Sequence, residues 1–240
     1  YSLITAFNKS EQGVRIDKPF CVVVKKSFEI YRATGGLSDI TVKPLMDAWG
    51  FGILRSDSIP DTARVKDVLA YIGQHNISLK GHSLKKSHPL TQIDVNGIGQ
   101  GYAVDLIASL LESKKVNNYL VELGGELRIR GKKSTGKMFK VGIGAVTNDE
   151  RMQTIVSPSD GALTTSGNYI NFRMNGNKKL SHIVDPKTGK PIDNEMISVT
   201  VWAKDAITAD GYDNAFMAMG MTRTLQFLKK KKNIAAYIIY

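Results

Sequence analysis

Glycine is concentrated in one segment of the chain, where Gly97, Gly99 and Gly101 lie within five consecutive positions. The segment follows an apolar run and precedes a helix predicted over residues 103–113. Glycine lets the backbone turn tightly and approach a ligand, and a helix N-terminus offers unpaired N–H groups to an anion. The pattern predicts a phosphate cradle, although its spacing is neither that of a Walker loop nor that of a GxGxxG turn. A glycine-rich turn that binds nothing is the alternative.

A second pair of residues has the spacing of metal ligands. We predict a helix that begins near Thr208, on which Asp210 and Asn214 are four residues apart and project from one face. Magnesium prefers oxygen donors and usually keeps substrate phosphates among its ligands. The pair is therefore a candidate magnesium site. The alternative is an aspartate that stabilises a helix N-terminus and a surface amide.

His182 is the one histidine of four that lies beside other signals. It precedes residues 185–189, a sequence typical of a tight turn that projects its neighbours toward a shared pocket. His182 is therefore a candidate functional residue, and a histidine with only a structural role is the alternative. Glu122 and Glu126 are candidates for proton transfer. The remaining histidines are predicted to lie on the surface of a polar loop region: His75, His82 and His88.

Asp39, Trp49 and Phe51 form a third group around a short β-type run. Asp39 directly precedes that run, at residues 40–42, and the two aromatic residues follow it closely. From these residues alone, the pattern favours a capped turn followed by two aromatic side chains in the core.

The order and identity of six segments resemble the ApbE family, whose members are magnesium-dependent FAD:protein FMN transferases. Six motifs in one order seldom coincide by chance, and the resemblance covers about residues 2–220. The segments are 38–45 (SDITVKPL) running into 49–52 (WGFG), 93–105 (IDVNGIGQGYAVD), 121–126 (VELGGE), 164–169 (TTSGNY), 181–191 (SHIVDPKTGKP) and 208–215 (TADGYDNA).

The resemblance implies which residues bind FAD and the metal ion. It places the Gly99 carbonyl, Asp210 and Asn214 on magnesium, and it places His182 beside the flavin diphosphate as the base. Two positions depart from the family, because Asn214 stands where a threonine is commoner and Gln100 where many relatives have a lysine. The residues implied to contact FAD are Asp39, Trp49, Phe51, Asn96, Gly97, Gln100, Gly101, Glu122, Gly125, Thr165, Ser166, Gly167, His182 and Ile183.

The reaction that the resemblance implies is phosphoryl transfer. Magnesium would neutralise the FAD pyrophosphate while a threonine hydroxyl of an acceptor protein attacks the FMN phosphorus and expels AMP. The acceptor would belong to a membrane or exported redox system. An FAD pyrophosphatase that yields AMP and FMN, and a non-catalytic FAD-binding protein, are the alternatives.

The resemblance also implies a location in the periplasm or on the outer face of the bacterial cytoplasmic membrane, as a lipoprotein. Family members usually begin with an export signal, followed by a strand and a helix that wall the flavin site. We therefore expect those elements, and any N-terminal lipid anchor, to precede this sequence. Cys21 has no basic and apolar signal before it and is expected to be a buried structural thiol.

The charge of the chain is strongly basic, with 33 basic and 22 acidic residues and a net charge of +11. The densest cluster, residues 229–232, ends an amphipathic run, where lysines suit the negative end of a helix dipole. Basic and aromatic residues are not interleaved as they are in single-strand binders. The charge therefore indicates a solvated basic face, and we expect no nucleic-acid partner.

Strands and helices alternate along the chain without internal repeats. This order predicts an α+β fold with largely antiparallel sheets and outside helices. The resemblance implies a T-fold-like architecture, as one domain over residues 1–240 or as two intimately packed lobes. Helices are predicted over 26–34, 44–49, 61–74 with Thr62 as the cap, and 208–220. Strands are predicted over 20–25, 117–131 as a pair, 139–145, 197–203 and 234–240.

Overall fold

The computed structural model describes residues 2–52, 59–144, 154–169, 171–176 and 178–240. None of the helices in these residues is long and apolar enough to cross a membrane. The α-helices are α1 (Leu3–Lys9), α2 (Lys18–Ala33), α3 (Lys43–Ala48), α4 (Thr62–Leu69), α5 (Asn96–Ser113) and α6 (Ala206–Lys229). The strands are β1 (Gly13–Arg15), β2 (Ile77–Lys80), β3 (Ser83–Lys86), β4 (Tyr119–Leu123), β5 (Glu126–Arg130), β6 (Val141–Ile143), β7 (Thr154–Val156), β8 (Asp160–Gly167), β9 (Phe172–Asn175), β10 (Lys178–Ser181), β11 (Ser198–Ala203) and β12 (Ile234–Ile239).

Helix α2 includes the residues 20–25 that we predicted as a strand, so that prediction is wrong. Asp17 accepts a hydrogen bond from the Phe20 N–H at 2.9 Å, and Pro19 lies in the first turn, where a missing N–H costs nothing. The buried positions recur with helical spacing and override the β-propensity of the valines. These positions are Phe20, Cys21, Val23, Val24, Ser27 and Ile30.

Other element boundaries differ by a few residues from those predicted. Helix α4 is capped by Asp61, whose side chain accepts a first-turn N–H at 2.7 Å, and not by Thr62. It ends at Leu69 instead of residue 74. The strand predicted over 139–145 is limited to β6, and Ala145 lies outside the described residues. The strand pair within 117–131, helix α3 and strands β11 and β12 are confirmed.

The chain divides into two compact units, Tyr1–Gly97 with Asn171–Asn194, and Ile98–Ile170 with Glu195–Tyr240. The first unit holds α1 to α4, a three-stranded sheet in the order β1-β3-β2 and the hairpin β9–β10. The second holds most of α5, all of α6, the hairpin β6–β7 and a five-stranded sheet in the order β12-β11-β8-β5-β4. All strand pairs among the described residues are antiparallel, which confirms the α+β class. The single domain over 1–240 stays a prediction.

Helix α6 packs on β8 and β11 and is interrupted at Gly220, where φ is 71° and ψ is 172°. Beyond this break, the Thr224 hydroxyl donates to the Phe216 carbonyl at 3.1 Å. The first half of α6 carries Asp210 and Asn214. The second half ends at Lys229, so the lysine cluster lies at a helix C-terminus as predicted.

Candidate functional site

The glycine-rich segment is helical and not a turn before a helix, so the predicted start near residue 103 is wrong. Helix α5 begins at Asn96, and only Gly97 departs from helical dihedrals, with φ −89° and ψ 23°. A Cβ atom on Gly101 would lie 2.3 Å from the Ala206 carbonyl oxygen and 2.8 Å from Asp210 Cβ. Glycine is therefore required here for the approach of α6. The Gly101 N–H donates to Asp210 Oδ2 at 2.8 Å and is not open to an anion.

Asp210 and Asn214 lie one turn apart on α6, as predicted. Asp210 is 3% exposed, and its Oδ2 atom accepts the bond from Gly101. Asn214 is half-buried, and its Oδ1 atom accepts a hydrogen bond from the Ser166 hydroxyl at 2.8 Å. An amide oxygen has a second lone pair, so this bond leaves Asn214 able to ligate a cation. Gly99 lies half-buried on α5, two residues before Gly101.

Two further acidic side chains lie near Asp210, one that the sequence did not identify as a site residue and one that was a candidate for proton transfer. They are Asp213, which is 2% exposed, and Glu126, which is 8% exposed. Burial raises the pKa of Asp210 to about 7, an effect opposed by the Gly101 N–H and increased by Glu126. Burial also raises the pKa of Asp213 well above its usual value, and the Asp210 charge raises it further. The pKa of Glu126 is raised by burial and by Glu122.

Polar atoms in this cluster are left without ordinary partners. Within the described residues, no hydrogen bond reaches Glu126 Oε2 or the hydroxyl of Thr164, a fully buried residue. Thr164 nevertheless lies close enough to Asp213 to lower the pKa of that carboxyl. None of the three carboxylates forms a salt bridge in the part of the chain that the structure describes. Buried negative charge of this kind is costly unless a cation or a proton offsets it.

These residues fit a hard cation. The predicted ligand set has one acidic side chain, Asp210, together with the Gly99 carbonyl and the Asn214 amide, all oxygen donors of the kind magnesium prefers. Within residues 2–52, 59–144, 154–169, 171–176 and 178–240, no three acidic, histidine or cysteine side chains are arranged to hold one metal ion. Asp213 and Glu126 are therefore not arranged with Asp210 as a cage of ligands.

Strand β8 separates two neighbouring residues that were predicted to bind FAD. Ser166 is buried and reaches Asn214 on α6. Thr165 is exposed and its hydroxyl lies 2.8 Å from the Thr200 hydroxyl on β11. Successive side chains of a strand point to opposite faces, so only Ser166 joins the metal-site residues. Gly167 is the last residue of the strand, and a Cβ atom added to it would lie 2.6 Å from the Tyr169 ring.

The turn between β4 and β5 forms at Gly124 and Gly125, as predicted, with φ values of 67° and 108°. A Cβ atom on Gly124 would lie 2.4 Å from Gln100 Nε2 and 3.4 Å from Glu126 Oε2. The amide of Gln100 is therefore held against this turn, near the unpartnered Glu126 oxygen. Glu122, on β4, and Gly125 are exposed.

In the first unit, Asp39 anchors its own loop, as the capped-turn interpretation predicts. Its Oδ1 atom accepts hydrogen bonds from the Thr41 N–H at 2.8 Å and from the Thr41 hydroxyl at 2.7 Å. The Thr41 hydroxyl in turn accepts the Gly73 N–H at 2.7 Å. Asp39 is 8% exposed, and burial raises its pKa to about 6 against the effect of these bonds.

Trp49 is a core residue of the first unit. It belongs to a hydrophobic core cluster with Leu45, Val65 and Val68, and its Nε1–H donates to the Gly189 carbonyl at 2.7 Å. Phe51 is half-buried, and its ring meets His182 edge-to-face at 6.4 Å between centroids. The sequence prediction of two core aromatics is therefore right for Trp49 and partly right for Phe51.

His182 follows β10 and is held by the backbone. Its Nδ1 atom lies 2.9 Å from the Asn171 carbonyl oxygen, so this nitrogen carries the proton and Nε2 is left as a proton acceptor. Burial lowers the pKa of His182, which keeps the ring neutral near pH 7. Ile183 is buried in the next position. The predicted tight turn is present, because the Gly189 N–H donates to the Asp185 carbonyl at 2.8 Å.

Comparison with known proteins supports one family. The sequence model of the ApbE family matches residues 1–238. A protein of Vibrio cholerae serotype O1 named FAD:protein FMN transferase is 36% identical over 226 residues, covering 92% of this chain and 68% of that protein. A protein of Salmonella typhimurium with the same name is 36% identical over 223 residues, covering 90% of this chain and 63% of that protein. The chain thus spans about two thirds of the length of these relatives.

A solved structure gives the same result for the fold. The flavin transferase ApbE from Vibrio cholerae superimposes with a TM-score of 0.89 at 35% identity, covering 99% of this chain and 77% of the other.

Proposed function

Because this chain belongs to the ApbE family, we propose that it transfers FMN from FAD to a threonine hydroxyl of an acceptor protein and releases AMP. The two similar proteins named FAD:protein FMN transferase support this reaction. The observation from the structure that carries it is the buried carboxylate cluster around Asp210, whose charge no described side chain offsets. Such a cluster suits a reaction in which a cation and phosphate groups meet.

The metal-binding residues of the proposal are Asp210, Asn214 and Gly99, and the metal is Mg²⁺. Oδ2 of Asp210 accepts the bond from Gly101, so Oδ1 is the oxygen that would offer both lone pairs to the metal. When bound, Mg²⁺ supplies charge neutralisation to the pyrophosphate oxygens of FAD. Gln100 is uncharged, so it adds hydrogen-bonding capacity and no further positive charge.

The proton of the acceptor hydroxyl is taken by His182 in this proposal. Its Nδ1–H is engaged by the Asn171 carbonyl, which leaves Nε2 unprotonated, and its lowered pKa keeps it neutral near pH 7. The hydroxyl oxygen forms a bond to the FMN phosphorus while the bond from that phosphorus to the bridging oxygen breaks, and AMP leaves with the electron pair. The proton passes from the hydroxyl to Nε2.

The acceptor in this proposal is a threonine-bearing protein of a membrane or exported redox system, and the enzyme works on the outer face of the bacterial cytoplasmic membrane. Incubation of the chain with FAD, Mg²⁺ and such a protein, followed by intact-mass spectrometry, tests the reaction. Transfer adds the mass of FMN to the acceptor and is lost in an acceptor whose threonine is changed to alanine. FAD hydrolysed to FMN and AMP with an unmodified acceptor would instead identify a pyrophosphatase. FAD that binds and stays intact would identify a non-catalytic FAD-binding protein.

A further inference from the structure

We propose that Asp105 is a positioning residue for the metal site, because it holds the N-terminus of α6 against α5. The inference rests on the proposed function, since it takes Gly99, Asp210 and Asn214 as the ligands. Among the described residues, Asp105 forms no hydrogen bond with the side chain of Asp210 or Asn214. It acts through the backbone of the helix that carries them.

The carboxylate of Asp105 binds two backbone groups of α6. Its Oδ1 atom accepts the Ala206 N–H and its Oδ2 atom accepts the Ile207 N–H, each at 2.9 Å. These N–H groups have no partner inside the helix, and a negative charge is favourable at this end of the helix dipole. The ordinary cap of α6 is a different residue, Asp205, which accepts the Thr208 N–H at 3.0 Å. Asp205 stabilises its own helix, whereas Asp105 joins two helices.

A second contact between the same helices lies one turn away. Gly101 is four residues before Asp105, and its N–H donates to Asp210, four residues after Ala206. A Cβ atom on Gly101 would lie 2.3 Å from the Ala206 carbonyl oxygen, so the backbones are in close contact there. Two contacts one turn apart fix both the separation of the helices and the rotation of α6 about its axis. That rotation determines whether Asp210 and Asn214 face the same cation as the Gly99 carbonyl.

Asp105 is itself fixed from the sheet. Arg128 on β5 places Nε 3.8 Å from Asp105 Oδ1, and its side chain is only 13% exposed. The Nη1 atom of Arg128 also donates to the Lys204 carbonyl, just before α6 begins, and lies 3.3 Å from Asp160 Oδ1. The arginine therefore holds both Asp105 and the backbone that leads into the helix.

The test measures Mn²⁺ affinity, with Mn²⁺ as a paramagnetic probe for the Mg²⁺ site, by the loss of the free-ion EPR signal. The variants are Asp105→Asn and its matched control Asp205→Ala, which removes the other aspartate at the same helix end. We expect Asp105→Asn to weaken Mn²⁺ binding about tenfold or more, the scale found when a group that orients a metal ligand is lost. Asp205→Ala should lower the melting temperature but change Mn²⁺ affinity by less than about twofold.

Two results would overturn the inference: unchanged Mn²⁺ affinity in Asp105→Asn, or an equal loss in Asp205→Ala, which would reduce Asp105 to a stabilising cap. If Asp105→Asn does not fold, Arg128→Gln takes its place and should also weaken Mn²⁺ binding. Unchanged Mn²⁺ affinity in Arg128→Gln would then contradict the inference. Asp210→Asn distinguishes this failure from that of the proposed function. If Asp210→Asn binds Mn²⁺ as the unmodified chain does, the metal site itself is misplaced.

Discussion

Gly101 donates its backbone N–H to Oδ2 of Asp210 at 2.8 Å, so a glycine of α5 holds the carboxylate that we assign to the metal. The bond leaves Oδ1 as the carboxylate oxygen that keeps both lone pairs for the metal. The close approach of the two helices explains why position 101 is a glycine, because any side chain there would separate them. The glycine-rich segment thus serves helix packing at Gly101, and a phosphate contact there is not needed to account for it.

Gly101→Ala should lower the free energy of unfolding by about 1–3 kcal/mol, the usual cost of overpacking, because the Ala206 carbonyl is backbone and cannot rotate away. Alanine in an unobstructed helix would instead add stability. Urea unfolding measures the change. Gly144→Ala is the control, since no atom of the described residues other than its chain neighbours lies within 4 Å of its added Cβ, and it should stay within about 0.5 kcal/mol of the unmodified chain. A Gly101→Ala variant as stable as the control would show that the helices can move apart freely.

The pH dependence of stability should carry a contribution from Asp39. Burial raises its folded-state pKa to about 6, from an ordinary value of 3.8. The folded state therefore holds this proton more tightly, and the associated stability is present below about pH 4 and lost as the pH rises through 6. The loss is at most about 3 kcal/mol.

Asp39→Asn keeps an oxygen for the Thr41 N–H but cannot ionise. Unfolding free energies measured from pH 4 to pH 7 should fall more steeply for the unmodified chain than for this variant. Parallel curves would mean that Asp39 titrates in the folded protein as it does in the unfolded one.

His182→Ala should slow FMN transfer by about a hundredfold or more, the scale of a lost general base, with little change in FAD affinity. His75→Ala is the matched control, because that histidine is exposed in the same unit, and it should transfer at the normal rate. Since burial lowers the pKa of His182, the rate of the unmodified chain should hold to a pH below the ordinary histidine value before it falls. An equal loss of rate and FAD binding would make His182 a binding residue.

Removal of the metal should abolish transfer and leave much of the FAD affinity. The adenine, ribose and isoalloxazine contacts do not require a cation. Removal of the metal by a chelator therefore weakens only the contacts to the pyrophosphate. Asp210→Ala should reproduce the effect of the chelator, which is measured by FAD fluorescence titration and by transfer rate. If binding and transfer disappear together, the cation has a larger part in FAD binding than we assign to it.

The local signals in the sequence predicted much of the second unit. Glycines at 124 and 125 between two apolar runs gave the β4–β5 pair, and helical spacing placed Asp210 and Asn214 on one face of α6. The family resemblance is confirmed over residues 1–238. Strand β8 was not predicted, so the separation of Thr165 from Ser166 by strand alternation could not be seen.

What the sequence could not show were contacts between distant residues. Asp213 has the appearance of a surface acid, and the sequence did not show that it and Glu126 lie near Asp210. The packing of α6 on the sheet buries both side chains. Asp105 binds the backbone of Ala206 and Ile207, which lie more than 100 positions further along the chain. In α2, burial at helical spacing outweighed a valine-rich run, which a propensity argument assigns to a strand.

The break at Gly220 limits how far α6 unwinds from its C-terminal end. Helix unwinding spreads cooperatively only along a continuous series of backbone hydrogen bonds, and that series is interrupted where Gly220 adopts a φ of 71°. Fraying of the lysine-rich end therefore stops before it reaches the turn that carries Asn214. Amide hydrogen exchange should accordingly be fast after Gly220 and slow before it, so that the ligand-bearing turns outlast local opening of the exposed end.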